Sequence, residues 1–328
     1  MKNINNLLVY FPIDDAQMAF LQRMLPETEI VRRNGETLAQ ADVDKADVIF
    51  GNVAPKMISN SAKIKWVHLS SAGTDGYLDF IERGILLTNG TGAYNDSIAE
   101  FMLSLSGALC NGFPAYARNQ QQGIWRREGW ARTIKGSTVL VLGCGNIGTA
   151  YAKRMHDLGA YVIGVRRTAC ACPDGVDEMF AMDKVDELLP RADIVAMVMP
   201  NTPETDNFMD SSRIGLMKDG ALLINCGRGN AVDADAMYSA LVSGKLGGAA
   251  IDVAYKEPLP ADDKLWSAPN LIITPHVAGG WNIGGESAPF MLKTVMEVFV
   301  KNLEAYLKGE TLPNSVDPKT GYTIKTQS

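Results

Sequence analysis

Histidine is scarce in this 328-residue chain, and its three copies, His68, His156 and His276, limit where imidazole chemistry can occur. Cysteine is hardly commoner: five residues, odd in number and scattered, suit a reducing compartment rather than a disulfide framework. Cys170 and Cys172 sit close together, yet no matching Cys or His group accompanies them to complete a tetrahedral site, so no metal is expected. Basic residues are outnumbered, 31 against 37 acidic, and the net charge of -6 argues against a nucleic-acid partner. The local cluster Arg126, Arg127 and Arg132 reads as a solvated loop or a subunit contact. No uninterrupted apolar stretch approaches bilayer length, and the short run Leu7 to Phe11 meets Asp14 and Asp15 with no small-residue cleavage site behind it. A soluble, unexported, cytoplasmic protein with no membrane partner is expected.

What is present is an ordinary globular composition, 46% apolar, in a chain longer than one core usually supports. The first hundred residues alternate strand-like and helix-like segments: Leu7 to Phe11, a helix from Asp15 to Met24, then Asp47 to Phe50, Trp66 to Ser70 and Ile85 to Thr88. A long helical pattern with Ile98, Phe101, Met102 and Leu105 follows Asp96 and Ser97, either of which can cap it, and carries the chain to the next domain. A second series then gives strands at Thr138 to Leu142, Tyr161 to Val165, Ile194 to Met199, Ala221 to Ile224, Ala249 to Asp252 and Leu271 to Ile273. Six such units make one doubly wound parallel sheet. The amphipathic segment from about Ser287 to Leu307 comes too late to add a strand and is expected to return over the first domain.

Thr138 to Leu142 runs straight into Gly143-Cys144-Gly145-Asn146-Ile147-Gly148 and then into a helical stretch. The glycines permit a tight turn, close approach by a pyrophosphate and close helix–strand packing, while the helix N-terminus offers free N–H donors. A glycine triplet alone is weak evidence; the strand before it, the helix after it and a second strand at the expected remove make it a dinucleotide site. An acidic residue at the end of that second strand would bind the adenosine ribose hydroxyls, but the chain has Gly164-Val165-Arg166-Arg167-Thr168 and no acid until Asp174. Two guanidinium groups and the Thr168 hydroxyl fit a ribose 2'-phosphate, which favours NADP(H) over NAD(H). The plainer alternative is that the arginines point into solvent and NAD(H) is used regardless.

Three further residues stand at similar strand-to-loop junctions: Arg228 in Asn225-Cys226-Gly227-Arg228-Gly229, Glu257 in Lys256-Glu257-Pro258, and His276 in Thr274-Pro275-His276-Val277-Ala278-Gly279-Gly280. Parallel strands bring their carboxyl ends to one sheet edge, where ligands bind, so a cation, a carboxylate and an imidazole are expected to converge. Taken singly, each has a bland reading: a loop histidine satisfied by backbone, an interface cation, a turn residue before proline. His68, in a strand, and His156, on the helix after the glycine loop, fit structural or exposed roles.

In order and spacing, the glycine fingerprint, Asn225-x-x-Arg228-Gly229, Asp252-x-x-x-x-Glu257-Pro258 and Pro275-His276-x-x-Gly279 resemble the D-isomer-specific 2-hydroxyacid dehydrogenases across nearly the whole chain. The NADP-type arginines make the resemblance strongest to the glyoxylate/hydroxypyruvate reductase branch. It implies two doubly wound parallel-sheet α/β domains of the Rossmann and flavodoxin type: a discontinuous substrate domain, 1–98 and 288–328, with the dinucleotide-binding domain 99–287 inserted. It also implies a homodimer built around the cofactor domains. In the family, Val198 to Thr205 corresponds to the segment beneath the nicotinamide, which adds Met199, Pro200 and Thr205 to the cofactor residues, and Cys226, Gly227, Arg228, Asp252, His276 and Ala278 complete them. Ser70-Ser71-Ala72-Gly73-Thr74-Asp75 matches the substrate-carboxylate loop. The chain departs from the commoner pattern at Phe101, at Cys226-Gly227 and at Asn230, which affects pocket shape more than chemistry.

The chemistry so implied is reduction of a small 2-oxo acid to a 2-hydroxy acid. Its carboxylate meets the N–H groups of Ala72 and Gly73 and the guanidinium of Arg228, which also polarises the C2 carbonyl. His276 donates the proton, Glu257 orients the imidazole and stabilises its protonated ring, and Asp252 accepts from the carboxamide of the nicotinamide. Two alternatives stay open: a reductase for bulkier branched or aromatic 2-oxo acids, with Trp281 bounding the pocket, and a dinucleotide-sensing protein that regulates a partner without turnover.

Overall fold

The computed structural model describes residues 3–129, 131–168, 170–280 and 289–324. The chain divides into two compact units, Met1–Tyr94 with Gly280–Ser328 and Asn95–Gly279. The first holds a parallel sheet in the order β2-β1-β3-β4-β5, from β1 (Asn6–Tyr10), β2 (Glu29–Arg32), β3 (Val48–Gly51), β4 (Trp66–His68) and β5 (Leu86–Thr88). Leu7, Leu8 and Val9 are buried in succession rather than alternately, as in a parallel strand covered on both faces. The helix Asp15–Met24 opens with a reciprocal cap, in which Asp14 accepts from the Gln17 amide and Gln17 accepts from the Asp14 amide.

The late helix runs Pro289–Lys308 and joins this unit. Met291, Val295, Phe299, Leu303 and Tyr306 recur at helical spacing and are buried with Phe50 and Trp66. Phe299 stacks on Phe50 with ring centroids 4.1 Å apart, and Tyr306 on Trp66 at 4.9 Å. His68 lies inside this aromatic core. Trp66 Nε1 donates to Thr88 Oγ1 at 2.8 Å, which frees the Thr88 hydroxyl proton for His68 Nδ1 at 2.7 Å. Its Nε2 finds no hydrogen-bond partner among the described residues, and burial drives the imidazole down to about 3.

The second unit is a parallel sheet in the order β12-β11-β10-β9-β6-β7-β8. Its strands are β6 (Thr138–Leu142), β7 (Tyr161–Arg166), β8 (Glu178–Ala181), β9 (Ile194–Met197), β10 (Ala221–Asn225), β11 (Leu246–Ile251) and β12 (Leu271–Ile273). The chain winds outward from β6 to β8, then returns to β9 on the other side of β6, so the crevice of strand reversal opens beside the glycine loop. The sheet has seven strands, not the six expected, and β2 was likewise not anticipated in the first unit. Both β2 and β8 are four-residue edge strands without one fully buried position, and so lack the apolar run that marks the others. The long helix begins at Asn95, which places Asp96 and Ser97 within its first turn rather than at a cap. There Asp96 meets Arg154 of the Asn146–Asp157 helix at 2.8 Å, and Ser106 pairs with the buried Tyr151 hydroxyl at 2.8 Å.

Candidate active site

Beyond β6 the three glycines differ in what their missing side chains do. A Cβ on Gly143, whose φ is +92°, would lie 2.7 Å from the Val198 carbonyl oxygen, and one on Gly148 only 2.4 Å from that of Gly143. Both positions are closed by backbone packing. On Gly145 a Cβ would meet nothing nearer than 4.0 Å, so its bareness leaves open ground in front of the helix that starts at Asn146. The first-turn N–H groups of Asn146 and Ile147 have no intrahelical acceptor by geometry. An open cradle of donors at a helix N-terminus fits a pyrophosphate.

At the end of β7, Arg166 Nη1 donates to Cys170 Sγ at 3.2 Å. Arg167 lies within electrostatic range of Glu204, whose carboxyl is held below its ordinary range by its own amide N–H and the Thr202 hydroxyl, with Arg167 adding to the effect. Thr168 follows them, exposed. Asp174, the first acid after the strand, turns to Lys153 at 2.9 Å, and Asp177 accepts from the Val162 amide at 2.7 Å near the opposite end of β7. Neither carboxylate is therefore spent at the ribose end.

On the other side of the crevice, Met199 is buried, and Thr205 Oγ1 donates to the Pro200 carbonyl at 2.7 Å, closing the loop after β9. Gly227 packs on it so closely that a Cβ would stand 2.6 Å from the Met199 carbonyl oxygen. Cys226 is buried, and burial pushes its thiol well up, which removes it as a nucleophile.

The carboxyl ends of β10, β11 and β12 are in register, Asn225 opposite Ile251 and Ile251 opposite Ile273. Arg228, Asp252, Glu257 and His276 thus leave one sheet edge from adjacent strands. Asn225, buried at the end of β10, accepts from the Gly227 amide at 3.0 Å and donates to the Arg228 carbonyl at 2.8 Å, fixing the turn that presents the half-buried Arg228. Gly229 then presses against Ala254: a Cβ there would come within 2.0 Å of the Ala254 carbonyl. The Ala254 amide donates to Glu257 Oε1 at 3.0 Å, and Glu257 Oε2 lies 2.8 Å from His276 Nδ1. Since a carboxylate only accepts, Nδ1 carries the proton in this pair and Nε2 is the ring nitrogen left for a ligand. Side-chain exposures of 54% and 42% make the ion pair worth no more than about 1 kcal/mol to stability, so its value lies in orientation.

His276 itself is in the left-handed region, with φ at 56°, a conformation that costs a non-glycine residue on the order of 1 kcal/mol or more. Asp252 holds it there. This buried carboxylate accepts from Thr274 Oγ1 at 2.7 Å and from the amides of Val277 and Ala278, each at 2.9 Å. The Asp252 carbonyl takes the His276 amide at 2.7 Å. Sequence reasoning gave Asp252 a cofactor role and did not foresee this clamp; Thr274 and Asn225, quoted only as motif neighbours, are the other supports it missed.

In the first unit, the Ser70–Asp75 loop is held by Asn52, whose Oδ1 accepts from the Ser70 amide at 2.9 Å and whose Nδ2 donates to Ser71 Oγ at 2.9 Å. Tyr94 donates its hydroxyl to the Ser70 carbonyl at 2.7 Å, and Asn89 its amide to the Ala72 carbonyl at 2.8 Å. None of these bonds uses the amide of Ala72 or Gly73. None of the three supports was legible beforehand, because Asn52 follows β3 whereas Asn89 and Tyr94 follow β5, and they meet the loop only through the paired sheet. Trp281 lies outside the described residues. Among those residues no group of three His, Cys, Asp or Glu is placed to hold a metal ion, and no helix is long and apolar enough to cross a membrane.

Comparison with known proteins places this geometry. Residues 103–278 match the model of the D-isomer specific 2-hydroxyacid dehydrogenase NAD binding domain. The glyoxylate reductase of Thermococcus litoralis is 30% identical over 283 residues, 82% of this chain and 82% of the relative. A D-isomer specific 2-hydroxyacid dehydrogenase family protein from Aeromonas salmonicida superposes with a TM-score of 0.83 at 31% identity, over 96% of this chain and 99% of that one. A D-isomer specific 2-hydroxyacid dehydrogenase from Xanthobacter autotrophicus, solved in complex with NADPH and MES, gives 0.81 at 28% identity over 97% and 100% of the two chains.

Proposed function

The chain belongs to the D-isomer specific 2-hydroxyacid dehydrogenase family, a family of NAD(P)-dependent oxidoreductases, and from that premise we propose that it reduces a small 2-oxo acid of the glyoxylate or hydroxypyruvate kind to the D-2-hydroxy acid, with NADPH preferred over NADH. The observation that carries this reading is the Glu257–His276 contact of 2.8 Å on a loop clamped by Asp252. It supports a proton donor with one nitrogen fixed and the other available.

When bound, the reduced nicotinamide supplies the hydride. Arg228 polarises the C2 carbonyl and stabilises the negative charge that grows on its oxygen. His276 Nε2 delivers the proton that completes the hydroxyl, and Glu257, held by the Ala254 amide, steadies the ring through Nδ1. The amides of Ala72 and Gly73 are assigned to the substrate carboxylate. Gly145, Asn146 and Ile147 hold the pyrophosphate, with Gly143 and Gly148 shaping the turn. Arg166, Arg167 and Thr168 hold the 2'-phosphate. Met199, Pro200, Thr205, Cys226, Gly227 and Ala278 line the nicotinamide side, and Asp252 Oδ2, which accepts from the Ala278 amide, is assigned to the carboxamide. A cytoplasmic homodimer completes the reading.

The test is initial-rate oxidation of NADPH and NADH with glyoxylate, hydroxypyruvate, pyruvate and a branched 2-oxo acid. Highest kcat/KM with NADPH and one of the two small acids is expected. A preference for the branched acid moves the substrate assignment, a preference for NADH removes the phosphate role of the arginines, and tight cofactor binding without turnover on any acid favours a sensor.

A further inference from the structure

At the end of β7 one guanidinium lies beside an exposed thiol. Arg166 Nη1 lies 3.2 Å from Cys170 Sγ, and both Cys170 and Cys172 are exposed free thiols. Cys144 of the glycine loop lies beneath, near enough for Arg166, Cys170 and Cys172 to act on it electrostatically, but burial, the largest effect, pushes its thiol up and keeps it inert. Cys172 Sγ meets the Asp177 carbonyl at 3.8 Å. Neither exposed cysteine has a part in hydride or proton transfer, yet one of them occupies a donor of the residue assigned to the 2'-phosphate.

We propose that Cys170 is a thiol-modification site that sets dinucleotide preference: exchange with a low-molecular-weight disulfide places a group on Arg166 and weakens NADPH binding far more than NADH binding. In the exchange, Cys170 Sγ loses its proton and attacks one sulfur of the disulfide. A new S–S bond forms at Cys170, the old one breaks, and the departing half takes up a proton as a free thiol, so no further oxidant is required. The sulfur that carries the added group stands 3.2 Å from Arg166 Nη1, beside the space where phosphate oxygens must approach the guanidinium fork to be bound in pairs. A dinucleotide without the 2'-phosphate makes no such demand on Arg166. The inference rests on the proposed role of Arg166 in NADPH binding.

The probe is 5,5'-dithiobis(2-nitrobenzoate) acting on the full-length Cys172→Ser protein, with the modified residue identified by mass spectrometry. Modification of Cys170 is expected to raise KM for NADPH by at least about tenfold, the scale of a lost charge-assisted contact, while KM for NADH stays within about threefold. Saturating NADP+, but not NAD+, slows the reaction, dithiothreitol restores the original constants, and Cys170→Ser is indifferent to the reagent. Absence of a Cys170 adduct, an adduct with unchanged KM for NADPH, or equal loss in Cys170→Ser overturns the proposal. Arg166→Ala separates the two levels. An unchanged NADPH/NADH efficiency ratio in that variant sinks the cofactor reading and this inference with it, whereas a collapsed ratio beside an inert Cys170 adduct sinks this inference alone.

Discussion

His276 is held through one ring nitrogen and keeps the other for a ligand. His276 spends Nδ1 on Glu257, and Glu257 spends Oε1 on the Ala254 amide. Glu257→Gln keeps an oxygen that can accept from Nδ1 but removes the charge facing the protonated ring. Its kcat is expected to fall by about tenfold to a hundredfold with KM for NADPH little changed, and a steady-state comparison at one pH checks this. Asp252→Asn turns an amide N–H toward one of the three donors the carboxylate now satisfies. Leaving such a buried group mismatched costs roughly 1–3 kcal/mol, so a lower urea midpoint and a lower kcat should appear together. A variant that loses kcat with its midpoint unmoved contradicts the clamp. The sequence made the proximity of Glu257 and His276 legible, because both follow strands of one sheet. It did not reveal the clamp, because the amides of Val277 and Ala278 reach Asp252 only once His276 adopts its left-handed turn.

Among the elements, strands with an unbroken apolar run were readable, at the sheet edge as well as inside it, and the two polar edge strands β2 and β8 were not. β6 and β12 run as expected from their apolar sequences, whereas Glu-Ile-Val-Arg of β2 and Glu-Met-Phe-Ala of β8 carry charge and stay half exposed. β11 was recognised only from Ala249, since Gly247 and Gly248 conceal its start at Leu246. Glycine has a sharper meaning between β10 and β11, where Gly229 lets the Arg228 turn lie on the backbone that holds Glu257. Gly229→Ala must open that contact, and we expect kcat/KM for the 2-oxo acid to drop by about a hundredfold, the cost of misplacing a reacting group by about 1 Å. Full activity in this variant would show that the two loops need not touch.

β4 and β5 carry a pH dependence of their own. The unfolded chain binds a proton at His68 near 6.5, the folded protein only near 3, so the unfolded state gains protons first as pH falls. Stability contributed by neutral His68 is complete above about 6.5 and declines toward 3 by up to about 1.4 kcal/mol for each pH unit. Denaturation of the protein and of His68→Phe at pH 7 and pH 5 checks the sign. The wild type should lose about 2 kcal/mol more than the variant over that interval. Equal losses would mean that the imidazole is not kept neutral by burial.

At the scale of the whole molecule, the chain forms one sheet, leaves it for a second complete sheet, and returns through the Pro289–Lys308 helix to finish the first. That discontinuity was readable from two strand–helix series and a late amphipathic segment whose apolar positions found the Phe50 and Trp66 rings. The supports of the Ser70–Asp75 loop were not readable, since Asn52, Asn89 and Tyr94 converge only after β3, β4 and β5 have paired. The same architecture gathers Arg228, Glu257 and His276 at one edge of the second sheet, and the account depends on that edge transferring a proton to a 2-oxo acid. Single-turnover oxidation of bound NADPH by glyoxylate, in the wild type and in His276→Asn, measures this directly. NADPH affinity within about threefold and hydride transfer slower by about a hundredfold or more are predicted for the variant. Equal rates in the two proteins would contradict the account.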